Sequence, residues 1–189
     1  MTIVKLDKPA LVLRTSDANG CSYYTPSFQW PAEGHVSAPD WNPSMGCGNG
    51  LHGLLWGQGD ASYLTLDDPN ATWQVVEINE YADVAGTDGH PPKVKYPEGV
   101  VVLSGTREEA TALIHSRAPN GTAVAAITLT GGYGSTLTGG NGSTLTFQYY
   151  DYSADRYRRV LAEVGFEGIE GIEADKAYRV TEKGVIVPA

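Results

Sequence analysis

The chain has 189 residues, with 22 acidic and 13 basic side chains and a formal net charge of −9 at pH 7. This charge argues against direct nucleic-acid binding, because such proteins neutralise phosphates with Lys and Arg. The length suits one globular domain, or one domain with a small appendage. No apolar run approaches the ~18 residues that span a bilayer, and the N-terminus does not resemble a signal peptide. We therefore expect a cytoplasmic protein that makes no membrane contact.

Short runs rich in β-branched residues, bounded by Gly, Pro, Asn or Asp, predict strands at 10–14, 72–78, 100–103 and 123–130. Residues 93–96 and 100–103 flank Pro97-Glu98-Gly99 and predict a hairpin. A second hairpin is predicted near the C-terminus, from 177–180 and 185–187. Residues 157–164 fit either a strand or a helix, and we favour a strand because the aromatic-rich segment 147–152 offers a partner.

One helix is predicted, at 106–118. Thr106 and Glu109 form a capping-box pattern, and Pro119 ends the segment. The fold class is therefore mainly β (α+β): a β-sheet domain with one helix, followed by a short β-solenoid-like repeat and a C-terminal β-hairpin. A change of composition at 118–122 divides the chain into 1–120 and 121–189. The first part is the acidic one, with 7 bases and 14 acids.

An octad repeat opens the second part. GYGSTLTG at 132–139 and GNGSTLTF at 140–147 agree at six of eight positions. A fixed short period is typical of a β-solenoid, in which leucines point inward and threonines outward. One coil cannot bury its own core, so we expect homo-oligomerisation through the repeat and the tail. The residues assigned to this contact are Thr136, Leu137, Thr138, Thr144, Leu145 and Thr146.

These octads resemble the repeats of bacterial ice-nucleation proteins, whose Thr-x-Thr rows organise water. Similar octads also occur in phage-encoded proteins, followed by an aromatic segment and a terminal hairpin, and residues 147–152 and 178–187 resemble that tail. The likeness implies ice nucleation, but the match covers only about 16 of the 189 residues and that activity needs a large ordered array. We therefore favour a structural solenoid turn or an assembly device.

Residues 11–115 resemble a family of uncharacterised proteins from phages and actinobacteria. The motifs are SFQWP at 27–31, APDWNP at 38–43 and CGNGLHGLLWGQGD at 47–60, followed by segments at 73–78 and 93–114. The family has no established activity. The resemblance therefore supports a domain without assigning its chemistry.

Cys47 and His52 lie in the glycine-rich element, and a nucleophilic cysteine needs an imidazole within hydrogen-bond reach. A small enzyme that uses this pair is one alternative, although no Asn or Asp is obviously placed to orient the ring. A tight structural glycine turn is the other and the favoured interpretation. A zinc site through Cys21, His35, Cys47 and His52 matches no compact zinc module, so neither metal nor cofactor is expected.

Tryptophans crowd the first part, and such rings either pack a β-rich core or line a ligand groove. The residues predicted to bind a ligand are Trp30, Trp41, Gly48, Gly50, Trp56 and Asp60.

Three classes of function remain open. The favoured one is a non-enzymatic, phage-associated accessory protein in the cytoplasm of a bacterial host. It would bind a host protein or a small ligand, and its acidic face could imitate nucleic acid to inhibit a host defence complex. The alternatives are a self-assembling β-solenoid protein and the small enzyme.

Overall fold

The structure, a computed structural model, describes residues 3–86, 92–165 and 172–189. The chain forms two compact units, Met1–Ala118 and Pro119–Ala189. We call them unit 1 and unit 2 and describe each by itself.

Unit 1 is built on a six-stranded antiparallel sheet. Its strands are β1 (Val4–Ser16), β2 (Gly34–Ser37), β3 (Leu51–Leu55), β4 (Thr72–Asp83), β5 (Val94–Tyr96) and β6 (Glu98–Gly105). The order is β1-β3-β5-β4-β6-β2, and β1 pairs with β4 as well. Strand β1 therefore has partners on both edges, which agrees with the burial of every residue from Ala10 to Ser16.

The core of unit 1 is formed by apolar side chains from all six strands and by Trp30. Val12 is opposite both Leu55 and Val76 in register, so its side chain lies in the middle of the sheet and is fully buried.

The predicted hairpin of residues 93–103 is wrong in its pairing. β5 pairs with β3 and β4, whereas β6 pairs with β4 and β2. Both strands pair antiparallel with β4, β5 at residues 82–83 and β6 at residues 73–77, so the chain continues along β4 and does not reverse between them. Pro97 lies between the two strands, and its carbonyl accepts a hydrogen bond from the Ala38 backbone N–H at 2.7 Å.

The predicted helix is confirmed as α1 (Arg107–Arg117). Thr106 Oγ1 accepts from the Glu109 backbone N–H, and the Glu109 carboxylate accepts from the Thr106 backbone N–H, which completes the capping box. Ala110 and Ile114 are fully buried. Among the described residues, no helix has the length and apolar character needed to cross a membrane.

The described residues of unit 2 form two three-stranded sheets. Its strands are β7 (Thr128–Gly131), β8 (Leu137–Thr138), β9 (Thr144–Asp151), β10 (Arg156–Glu163), β11 (Ala177–Val180) and β12 (Ile186–Pro188). One sheet has the order β10-β9-β7 and the other β12-β11-β8. The sequence expectation of a mainly β fold with one helix is confirmed.

Both predictions for the C-terminal region are confirmed as well. Residues 157–164 fall largely in β10, which pairs antiparallel with the aromatic-rich β9. β11 and β12 form the terminal hairpin, with Tyr178 opposite Pro188. The core beneath these strands includes Leu145 and Phe147, both fully buried.

Candidate functional site

The octad region of unit 2 forms a coil with two octads per turn. β7 pairs with β9 in parallel, so that Thr-Leu-Thr at 128–130 lies in register against Thr-Leu-Thr at 144–146. Between them, the Thr-Leu-Thr of 136–138 contributes β8 to the other sheet. A parallel, in-register pair of identical tripeptides is the arrangement of successive solenoid coils.

The turns of the coil repeat with the octad. Ser135 donates its backbone N–H to the Gly132 carbonyl at 3.0 Å, and Ser143 does the same to the Gly140 carbonyl at 3.2 Å. The two octads recognised in the sequence are therefore also two copies of one backbone turn.

A third octad, 124–131, precedes them and was missed by the sequence analysis. The third position of each octad has a left-handed backbone: φ is +60° at Ala126, +86° at Gly134 and +74° at Gly142. Ala126 thus occupies a position that favours glycine. The available signal was TLTG at 128–131, which repeats at 136–139.

Side-chain burial follows the predicted alternation. Leu145 is fully buried, and Leu129 and Leu137 pack against the same core. The predicted oligomerisation residues Thr136, Thr138, Thr144 and Thr146 are exposed or half-buried, and so are Thr128 and Thr130. The coil therefore presents hydroxyl-bearing side chains outside a leucine core.

Unit 1 contains a separate cavity of about 660 Å³. Its walls come from β1 and β3 and from the loops around residues 22–25, 47–50 and 62–65. Five aromatic side chains line it: Tyr23, Tyr24, Phe28, Trp30 and Tyr63. The cavity size lies within the range of small-molecule sites.

Cys47 and His52, the predicted catalytic pair, both line this cavity. Cys47 lies on the exposed loop, and His52 lies on β3 opposite Lys95. The buried Nε2 of His52 has no hydrogen-bond partner within the described residues, so this nitrogen makes no hydrogen bond to the Cys47 thiol. Burial, with Lys93 and Lys95 nearby, lowers the pKa of His52 to about 4.

A neutral His52 has consequences for the chemistry of the pair. A thiolate–imidazolium couple needs an imidazole that gains a proton readily, and the surroundings of His52 oppose that proton. The catalytic role of Cys47 and His52 stays a prediction. The zinc alternative gains no support, because the described residues contain no group of three His, Cys, Asp or Glu side chains that could hold a metal.

The predicted ligand-binding residues divide into two sets. Trp30, Gly48 and Gly50 line the cavity. The other three do not line it: Trp41 packs on Gly50, Trp56 packs against the core, and Asp60 accepts a hydrogen bond from the Ser62 backbone N–H at 2.8 Å.

Among the cavity residues that the sequence analysis missed are Arg14, Tyr63 and Lys93. The signal for Arg14 was its place at the end of the apolar run 10–14, within a strand buried on both faces. A charged side chain in such a strand must find a polar partner or line a cavity. Lys93 and Tyr63 are distant in sequence, and only the folded chain places the Lys93 ammonium over the Tyr63 ring, 3.9 Å from its centroid.

Comparison with known proteins gives one consistent set of relatives. An ice nucleation protein of Pseudomonas syringae is 38% identical over 114 residues, 60% of this chain and 9% of that protein. One from Enterobacter agglomerans is 36% identical over 134 residues, 70% of this chain and 10% of that protein. The chain is similar to bacterial ice nucleation proteins. Ice nucleation protein InaU of Pantoea ananas is another, 37% identical over 117 residues, 61% of this chain and 11% of its own length.

The likeness to ice nucleation proteins is not confined to the octads. Unit 2 has 71 residues, so matches of this length extend into unit 1. The chain spans about a tenth of the length of these curated relatives. No family model and no solved structure matches the chain. The proposed phage and actinobacterial family of residues 11–115 therefore stays a prediction.

The favoured function of the sequence analysis is wrong. The relatives are bacterial ice nucleation proteins, and this finding overturns the interpretation as a phage-associated protein that acts on a host partner. The sequence argument relied on the short length of the octad match, whereas the similarity covers most of the chain. The alternative of a structural, self-assembling β-solenoid agrees better with these relatives.

Proposed function

We propose that this chain is a self-assembling β-solenoid protein of the ice-nucleation type, in which the open edge of the octad coil pairs with the same edge of a second copy. The observation that carries the proposal is the parallel pairing of β7 with β9, because it places one Thr-Leu-Thr octad against another in register. The edge of one octad strand can therefore pair with a strand of the same sequence.

The four outer strands of unit 2 differ in a way that supports this direction of assembly. β10 carries Arg156, Arg158 and Arg159, and β12 ends at Pro188. Charged residues and proline at sheet edges prevent further strand addition. β7 and β8, on the opposite edges, have no charge and no proline. One side of the coil is thus protected against the addition of a further strand, and the other side is open to it.

The same asymmetry limits the size of the assembly. The far edge of β9 is already occupied by β10, so a second copy cannot continue the coil in a head-to-tail manner. Two copies that meet through their β7 edges need a two-fold axis and antiparallel pairing of the two strands. A two-fold contact of this kind closes on itself, so we expect a dimer rather than a filament.

Light scattering with mass resolution on the full chain tests the proposal. We expect a dimer that dissociates on dilution, and Thr130→Lys should shift it to the monomer, because a lysine on an edge strand opposes pairing. Leu161→Lys is the matched control: Leu161 is exposed on β10, an edge that already carries arginines. A monomer at every concentration, or equal effects of the two lysines, would contradict the proposal.

A second candidate activity, ice nucleation itself, is favoured by the threonine array. Thr128 and Thr130 lie in register beside Thr144 and Thr146, which gives two short rows of hydroxyl groups. The relatives bear the name of this activity. Freezing of supercooled droplets tests it: the chain should raise the freezing temperature, and the isosteric pair Thr128→Val and Thr144→Val should reduce the effect while dimerisation persists. Droplets that freeze like buffer would exclude this activity.

A cytoplasmic location, which we expected from the sequence, is retained as part of this proposal. Fractionation of cells that express the full chain tests it, with recovery in the membrane fraction as the contradicting result.

A further inference from the structure

Arg14 is a buried cation without an acidic partner. Its side chain is 7% exposed, and its guanidinium lies 3.5 Å from the centroid of the Trp30 ring. One terminal nitrogen donates to the Gln74 side-chain carbonyl. None of the ion pairs within the described residues involves Arg14. A buried, uncompensated charge destabilises the folded state by roughly several kcal/mol, and an anion that entered the site would offset this cost.

Arg14 lines the unit 1 cavity, and one donor of its guanidinium is unused. The buried Nε of Arg14 has no hydrogen-bond partner. Gln74 is held in place from behind, since its amide donates to Ser104 Oγ at 3.2 Å and to the Pro31 carbonyl at 3.4 Å. The guanidinium is therefore fixed by Gln74 and Trp30 with an unused donor left over.

Two further unpartnered nitrogens lie in the same wall. Trp30 Nε1 and His52 Nε2 are buried without hydrogen bonds, and both residues line the cavity. Buried polar groups normally have partners, and three such atoms on one cavity indicate that something polar belongs there. The indole N–H can only donate a hydrogen bond, so its partner must be an acceptor.

The charge balance and shape of the cavity define the class of ligand. Its cations are Arg14 and Lys93, both buried, whereas its one carboxylate, Asp40, is on an exposed residue. The Lys93 ammonium is directed at the Tyr63 ring, so a single guanidinium is left to meet an anion. A carboxylate is the planar monoanion that matches a guanidinium edge, and aromatic walls suit a flat apolar body.

We propose that the unit 1 cavity binds a small carboxylate with a flat apolar body, whose carboxylate meets Arg14 Nε and whose body lies among the aromatic rings. This site goes beyond the assembly of the octads, and it depends on unit 1 alone. Its failure would leave the dimer proposal intact, and the reverse also holds.

Calorimetric titration of the full chain with three matched compounds tests the proposal. They are 2-naphthoate, the neutral 2-naphthamide and 2-naphthyl phosphate. We expect naphthoate to bind at least about tenfold more tightly than the amide, because only the anion compensates the buried charge. Equal affinity for acid and amide, tighter binding of the phosphate, or no saturable binding of naphthoate at millimolar concentration would each overturn it.

Variants locate the binding. Arg14→Met keeps the length of the side chain and removes the charge, so naphthoate should lose its advantage over the amide. Arg117→Met, at the exposed end of α1, is the matched control.

If Arg14→Met does not fold, Tyr24→Ala replaces it. Tyr24 is 84% exposed at the cavity wall, and its loss should weaken the binding of naphthoate several-fold without unfolding the chain. Unchanged binding in the folded Arg14 variant, or in Tyr24→Ala where that variant is used instead, would contradict the proposal.

Discussion

Leu129 lies in parallel register with Leu145, two octads further along the chain. The structural repeat is thus a coil of two octads, although the sequence repeats after one. Leu137, from the octad between them, reaches the same core from the other sheet. Three leucines at equivalent octad positions therefore close the interior of one coil, and Leu145 is the most deeply buried of them.

We predict that Leu145→Ala destabilises unit 2 by about 2–5 kcal/mol, because it leaves a cavity at a fully buried site. Leu161→Ala serves as the control, since that leucine is 58% exposed. Urea denaturation followed by tyrosine fluorescence measures both. A loss for Leu145→Ala no larger than for Leu161→Ala would mean that the leucines do not form the core of the coil.

Local sequence patterns predicted the elements that depend on neighbours in the chain. The capping box of α1 and the terminal hairpin were both found, since their contacts join residues a few positions apart. The partners of β5 were not found, because a strand of three residues pairs according to what the rest of the sheet offers. Long-range pairing of this kind leaves no signal in a short window.

The candidate sites also divide into features formed by neighbours in the chain, which the sequence indicated, and features formed by distant residues, which it did not. Two octads were visible as letters, whereas the third was hidden because Ala126 replaces the glycine at its left-handed position. The cavity brings together Arg14, Trp30 and His52, which are far apart in the chain. The glycine-rich element pointed to His52, but nothing near it in sequence indicated a buried arginine.

The octad turn gives a prediction with a closely matched control. Gly134 has φ +86° and open space around its α-carbon, so Gly134→Ala should cost about 1–2 kcal/mol through the backbone alone. Gly132 has equally open space without the left-handed backbone, and Gly132→Ala should cost much less. Thermal unfolding of the two variants checks this difference, and equal midpoints would contradict the assigned turn.

Lys95 holds the glycine-rich loop of unit 1. Its ammonium is fully buried and donates to Ser44 Oγ at 3.3 Å, the Gly46 carbonyl at 2.9 Å and the Gly48 carbonyl at 3.1 Å. Lys95→Met should therefore release the loop and leave two carbonyls without a donor, at a cost of about 2–4 kcal/mol. We expect faster proteolysis near residues 44–50.

Lys93→Met is the control for this loss. Lys93 is also buried, but its ammonium faces the Tyr63 ring rather than the loop carbonyls. Mass spectrometry of the limited digests should show no new cleavage at 44–50 in this variant. If both variants expose the loop equally, loss of a positive charge near the cavity explains the effect better than the three hydrogen bonds of Lys95.

His52 should make unit 1 sensitive to mild acid. Burial, with two lysines nearby, lowers its pKa in the folded state to about 4, whereas the unfolded chain has the ordinary value near 6.5. The unfolded state therefore binds more protons between these two values, so stability falls as the pH drops from about 6.5 to about 4 and levels off below that. The loss of stability amounts to at most about 3 kcal/mol, because part of the ring is exposed.

Urea midpoints measured between pH 6.5 and pH 4 should fall for the natural chain and fall less for His52→Gln. His115→Gln, on the exposed end of α1, is the control and should retain the slope of the natural chain. An identical slope in His52→Gln would show that other groups cause the acid sensitivity.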